Sequence, residues 1–158
     1  MSEVRQGEVS IDLPPADDAR LRFIGRIRTP WTTREDCPRQ GKEDGPICRI
    51  EVDPLWERAL DGIETYSRIE VIYWLDRSRR DLVAQSPKSD GATIGTFALR
   101  SPVRPNPIGT SLVRLVARKG PVLEVRGLDC LNDTPLIDLK PDRCEFTPKA
   151  PPKPGVDG

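Results

Sequence analysis

The sequence contains no histidine, and that absence removes a large part of enzyme chemistry. Ser-His-Asp and Cys-His nucleophilic catalysis, imidazole-ligated metal sites and histidine general bases all need a group the chain does not possess. An excess of charge is missing too. The 25 basic and 25 acidic residues cancel, so no global field marks a nucleic-acid or membrane binder, and any basic site must be local. No apolar run is long enough to span a bilayer, and nothing near Met1 has the apolar stretch of a signal peptide. The four cysteines, Cys37, Cys48, Cys130 and Cys144, show no C-x-x-C pair. Scattered core thiols in a reducing, cytoplasmic compartment are the expectation; zinc held by all four is the lesser alternative, so no metal site is assigned. Neither G-x-G-x-x-G after a strand nor G-x-x-x-x-G-K-[ST] occurs, which excludes the Rossmann and P-loop routes to a nucleotide-like ligand.

What is present fits one domain of 158 residues, long enough to bury a core. Residues 1–18 are polar and proline-bearing and residues 148–158 are a Pro/Gly/Lys tail; both are expected to be flexible, leaving 19–147 as the folded domain. Alternating or β-branched runs predict seven short strands: Leu21–Arg28, Ile47–Asp53, Tyr66–Leu75, Ala92–Leu99, Ile108–Ala117, Val122–Leu128 and Pro135–Lys140. Asp53-Pro54 is a helix start, an acid at the cap followed by proline, and Gly62 a stop, which predicts one short helix over Pro54–Asp61. The fold class is therefore mostly β, a single-domain antiparallel barrel or sandwich.

Four loop constellations stand out. Cys37-Pro38-Arg39-Gln40-Gly41 reads equally as a solvated turn or as part of a site. Between Arg100 and Gly109 lies Arg104-Pro105-Asn106-Pro107-Ile108-Gly109. Each proline fixes its own φ, pushes its predecessor towards extended backbone and lacks an N–H donor. The result is a stiff, donor-poor rod flanked by Arg100 and Arg104, either an irregular crossover or a binding wall. The turn Cys130-Leu131-Asn132-Asp133 before Thr134-Pro135 is an ordinary hairpin turn or a place where carbonyls meet a ligand. The run Asp76-Arg77-Ser78-Arg79-Arg80 is a solvated charged face or, with Arg100 and Arg104, a local phosphate track.

Taken in order, FIGRIRTPW (residues 23–31), CPRQG (37–41), ALDGIETYSRIEVIYW (59–74), FALRSPVRPNPIGTSLVRL (97–115) and GLDCLNDTPLIDLKP (127–141) resemble the TrmO family, which includes VirR-like proteins, over residues 21 to 147. The resemblance implies a β-barrel, non-Rossmann methyltransferase that uses S-adenosyl-L-methionine, works as a homodimer and acts on tRNA. The implied reaction methylates the exocyclic nitrogen of threonylcarbamoyl-adenosine next to the anticodon. The family's cofactor contacts fall on Pro38, Arg39, Gln40, Arg100, Thr110, Cys130, Leu131, Asn132 and Asp133, with Asp76 and Arg77 added from the charged run.

Departures from the family pattern lie in the same places. Tyr66-Ser67-Arg68 stands for F-S-H, Asp76 for a histidine, Asp142 for the tyrosine after Lys-Pro, and Thr110 for a common leucine. Longer members carry a second domain after the barrel, where this chain has its proline-rich tail. Methyl transfer from a sulfonium depends mainly on positioning, and without histidine the departing proton must go to a carboxylate or to water. Asp138 is the first candidate acceptor and Asp133 the second, with a plain salt bridge as the competing role for Asp138. A barrel that binds the same cofactor but modifies another acceptor, or binds without turnover, stays open as an alternative.

Overall fold

The computed structural model describes residues 3–142. Among these residues nine strands form two sheets. They are β1 (Val9–Ser10), β2 (Gly25–Arg28), β3 (Cys48–Val52), β4 (Arg68–Trp74), β5 (Leu82–Gln85), β6 (Ile94–Gly95), β7 (Ile108–Lys119), β8 (Val122–Arg126) and β9 (Thr134–Pro141). Six close into an antiparallel barrel in the order β2-β3-β8-β7-β4-β9, and β1-β5-β6 make a small side sheet.

Barrel closure follows from period-two burial. Along β4 the side chains of Ile69, Val71 and Tyr73 are buried while Glu70, Ile72 and Trp74 are half-buried on the outer face. Ile27, Ile50, Val113, Leu123, Val125 and Leu136 complete the interior. Full burial of one such side chain is worth about 1.5–3 kcal/mol, so the core rests on a handful of inward positions spread over all six strands.

The barrel expected from sequence is present, with six strands rather than seven. Ala92–Leu99 does not join it: only Ile94–Gly95 is extended, and Thr96–Ala98 turns into a 3-10 helix. The reason is Thr96, whose buried hydroxyl donates to the Leu82 carbonyl (2.7 Å) and bends the chain onto the side sheet. β5 was not anticipated, because four residues between a charged run and Ser86-Pro87 are too few to show a period. The helix at Asp53-Pro54 forms as a 3-10 helix over Pro54–Leu60, its Asp53 carboxylate accepting from the Leu55 N–H (3.1 Å). Within the N-terminal segment Val9 and Ser10 pair with Ala84 and Leu82 of β5. The proline-rich tail from residue 148 lies outside the described residues. Cys37, Cys48 and Cys130 are free thiols. Among the described residues no helix is long and apolar enough to cross a membrane.

Candidate functional site at one end of the barrel

The strand order gathers three long connections at one end. β2, β4 and β8 finish there, and β3, β7 and β9 begin there. The connections 29–47, 75–107 and 127–133 therefore form a single rim. Pro38, Arg39 and Gln40 lie in the first, Asp76, Arg77 and Arg100 in the second, Thr110 just inside β7, and Cys130 to Asp133 in the third.

Two close contacts bind the first and third connections. Gly41 abuts the Gly127 carbonyl so tightly that a Cβ on Gly41 would overlap it, and Gly127 has φ +118°, a value that favours glycine. The loop carrying Pro38–Gln40 is thereby pressed onto the strand end that leads into the 128–133 turn. That turn is in turn bolted to the start of the first connection: Asn132 accepts from the Thr29 N–H through Oδ1 (3.2 Å), and its own N–H donates to the Trp31 carbonyl (2.7 Å). The Thr29 hydroxyl donates to the Cys130 carbonyl (2.8 Å) and the Thr134 hydroxyl to the Leu131 carbonyl (2.7 Å).

Most carbonyls of this turn and of the proline rod are thus already occupied. In the rod, the Val103 carbonyl accepts from the buried Gln85 amide (2.8 Å), Pro105 from Arg80 Nε (2.6 Å) and Pro107 from the Leu75 N–H (2.8 Å). The rod is acceptor-rich and its acceptors face its own scaffold. Its two arginines divide accordingly. Arg104 folds back on the loop, donating to the Leu99 and Ser101 carbonyls at 3.0 and 3.1 Å, whereas Arg100 is exposed and donates through Nη2 to the Thr110 hydroxyl (3.2 Å).

Thr110 lies opposite Ile72 of β4, and Ile72 lies opposite Asp138 of β9. In-register neighbours point to the same face, so Thr110, Ile72 and Asp138 form a row across the outer surface, with Arg100 at one end. Asp138 owes its direction to a bulge. The register slips between Ile72 and Tyr73, which pair with Asp138 and Leu136, so Ile137 is the extra residue. Strict alternation would turn Asp138 inward with Leu136; the bulge turns it out and lets Leu139 pack against the core. Asp138 Oδ1 accepts from the Leu139 N–H (2.8 Å), and Oδ2 lies 3.5 Å from Lys140 Nζ.

Asp133 is placed differently. Its backbone has φ +69°, and its side chain leans towards β2, where Oδ1 is 3.0 Å from Arg28 Nη1. The two carboxylates read from the sequence therefore lie towards opposite neighbours of β9. Cys130 is buried in the core, and burial pushes its thiol up to about 12, so the side chain is a neutral core group. Asp76, Arg77, Arg39 and Gln40 are exposed.

The phosphate track read from the 76–80 run shrinks in the structure. Arg79, 9% exposed, grips Asp81 with Nε (2.7 Å) and Nη2 (3.0 Å). Arg80 is committed to the rod.

A polar hub missed in the sequence lies beneath the rim. The Tyr73 hydroxyl is 2.8 Å from the Ser111 hydroxyl and donates to Asp129 Oδ1 (3.0 Å), and Ser111 approaches the same oxygen (3.3 Å). Burial, and then the neighbouring Asp129 carboxylate, push the Tyr73 phenol well above its ordinary range, so it remains a donor. The ring also fills the space in front of Gly109, where a Cβ would collide with it. The available signal was the polar Ser111 in register with the inward Val113 and Leu115 of β7.

The rim offers exposed arginine, glutamine and carboxylate side chains over a base most of whose carbonyls are already bonded. That donor set suits a ligand with a carboxylate, an amino group and hydroxyls, which S-adenosyl-L-methionine has. Comparison with known proteins agrees with this fold and motif order. A family model described as the tRNA-methyltransferase O N-terminal domain matches residues 26–146. A protein of Rhizobium radiobacter named probable S-adenosyl-L-methionine-binding protein VirR is 53% identical over 150 residues, covering 95% of this chain and 86% of that one. The human tRNA (adenine(37)-N6)-methyltransferase is 31% identical over 137 residues, which are 78% of this chain and 30% of the human one. A crystal structure of TrmO from Pseudomonas aeruginosa superposes with a TM-score of 0.65 at 30% identity, covering 79% of this chain and 56% of that chain. With its matched barrel, its rim and its proline rod on record, the chain belongs to the tRNA-methyltransferase O N-terminal domain family.

Proposed function

We propose that this protein is an S-adenosyl-L-methionine-dependent methyltransferase acting on tRNA in the cytoplasm, and that its acceptor is the exocyclic nitrogen of threonylcarbamoyl-adenosine next to the anticodon. The observation that carries this reading is the convergence of three connections at one barrel end, each bearing part of the family motif. The methyl acceptor of the human relative, by its name, is also an adenine nitrogen in tRNA.

When bound, the cofactor supplies an electrophilic methyl group on a sulfonium. The chain's contribution is positional. Arg39, Gln40 and Arg77 are exposed side chains on the rim that hold polar parts of the cofactor, and Arg100 presents a planar fork beside Thr110. Asp133, already paired with Arg28, serves the rim as a fixed part of the turn. Asp138 Oδ2 is the better proton acceptor, because its ionic neighbour among the described residues, Lys140, is 3.5 Å away and exposed. Correct alignment of two reactants is worth up to about 7–11 kcal/mol, more than a weak base is asked to add.

The reading includes a homodimer. The outer face of β4 and β7 carries Ile72, Trp74, Ile108 and Leu112, of which Ile108 and Leu112 are exposed. A second copy of this chain is the proposed cover, which would bring the Thr110–Asp138 row to a subunit boundary. Light scattering at micromolar concentration should give twice 17.7 kDa; a species of 17.7 kDa alone contradicts the dimer.

A second reading draws on the name of the Rhizobium radiobacter relative, which records binding alone. In it the barrel holds the cofactor without modifying tRNA. Calorimetry with S-adenosyl-L-methionine, followed by a salt series on tRNA binding, separates the two. Cofactor binding with no tRNA affinity even at low ionic strength favours the second reading.

A further inference from the structure

Arg80 makes three contacts at once, and they join two parts of the rim. Its Nε donates to the Pro105 carbonyl (2.6 Å), its Nη2 to Asn106 Oδ1 (3.4 Å), and its guanidinium carbon lies 5.3 Å from the centre of the Trp74 ring. Pro105 lies outside the strands and its carbonyl, an acceptor like any other, takes its donor from Arg80. Trp74 is the last residue of β4, and the Leu75 N–H that follows donates to the Pro107 carbonyl (2.8 Å). One guanidinium and one backbone bond thus hold the rod against the end of β4.

We propose that Arg80 is a positioning residue: it locks the 76–80 turn to the Arg100–Gly109 rod, so that Asp76 and Arg77 on one side and Arg100 and Thr110 on the other stand as one fixed wall of the cofactor site. The inference rests on the reading of those four residues as cofactor contacts. The geometry is specific to arginine. A planar fork can donate sideways while its face stacks on an indole; a lysine ammonium keeps the charge but cannot do both. Gln85 secures the other end of the rod from the side sheet, through Val103 and Thr96. Without Arg80 the rod would be held at Val103 and Pro107 and loose between them.

The test compares wild type with Arg80→Gln and Arg80→Lys by amide hydrogen exchange and by titration with S-adenosyl-L-methionine. Exchange should speed up in residues 74–80 and 100–110 and stay unchanged in β8, because the core is not touched. Cofactor affinity should fall about tenfold in both variants, with lysine failing to rescue. Unchanged exchange in the rod overturns the lock. Faster exchange with wild-type affinity overturns the positioning role. If wild type itself shows no cofactor binding while the variants still loosen the rod, the lock stands and the cofactor reading fails. Arg80→Lys preserves charge and bulk and keeps the test available should Arg80→Gln fold poorly.

Discussion

The hydroxyl of Tyr73 donates to a carboxylate oxygen of Asp129 across 3.0 Å, and this bond ties the inner wall of β4 to the turn that carries four candidate cofactor contacts. Replacing Tyr73 by Phe keeps the ring against Gly109 and removes only the donor. The expected cost is about 1 kcal/mol in thermal or denaturant unfolding. Because the phenol's folded-state ionisation is raised above 10.0, its stabilisation is complete below the ordinary phenol range and is lost as pH rises beyond it. The stability gap between wild type and Tyr73→Phe should therefore be flat around neutral pH and change only in strong alkali. A gap that varies between pH 6 and 8, roughly the histidine range, would contradict this assignment.

Gly41 meets the Gly127 carbonyl where no side chain fits. Gly41→Ala must displace the loop that carries Pro38, Arg39 and Gln40. The predicted result is a modest stability loss of about 1–3 kcal/mol with a larger loss of cofactor affinity, read by calorimetry on the folded variant. Unchanged affinity would detach this loop from the site.

Arg100 and Arg104 flank one rod but differ in commitment. Arg100→Ala should weaken S-adenosyl-L-methionine binding at least tenfold, ~1.4 kcal/mol, with little change in melting temperature, since its contact to Thr110 is exposed. Arg104→Ala should do the reverse, freeing the Leu99 and Ser101 carbonyls and lowering the melting temperature. The opposite pattern would make Arg100 the scaffold.

Much of this was legible in the sequence. Period-two alternation in Leu21–Arg28 and Ile47–Asp53, and β-branched or aromatic richness in four further runs, placed the six barrel strands, and Asp53-Pro54 marked its helix start through cap chemistry that needs no tertiary context. What could not be read was tertiary by nature. Asp138 points outward only because the bulge at Ile137 breaks the alternation. Thr96 leaves the barrel only because its hydroxyl finds the Leu82 carbonyl. The arginines at 77, 79 and 80 looked alike, yet Arg80 is consumed by the Pro105 carbonyl, a partner 25 residues further along the chain.

Glu8 anchors β1 by accepting from the Arg5 N–H (2.9 Å) and the Ser86 N–H (2.8 Å). Desolvation would raise its carboxyl, but these two donors and the Arg5 charge outweigh it and hold the group below its ordinary 4.5. Its stabilisation is present above the ordinary carboxylate value and lost as pH falls through the lowered one. Protection of the amides in residues 5–11, taken relative to the intrinsic exchange rate at each pH, should therefore fall on acidification in wild type, and Glu8→Gln should show that lower protection already at neutral pH. Identical exchange in the two proteins at neutral pH would remove Glu8 as the anchor.

The central claim is methyl transfer from S-adenosyl-L-methionine to tRNA, and its most direct measurement is mass analysis of nucleosides from tRNA incubated with the protein and methyl-labelled cofactor. The account predicts one labelled methyl group on the threonylcarbamoyl-adenosine next to the anticodon, reduced at least tenfold by Arg100→Ala. No labelled nucleoside, from a protein that calorimetry shows to bind the cofactor, would contradict it.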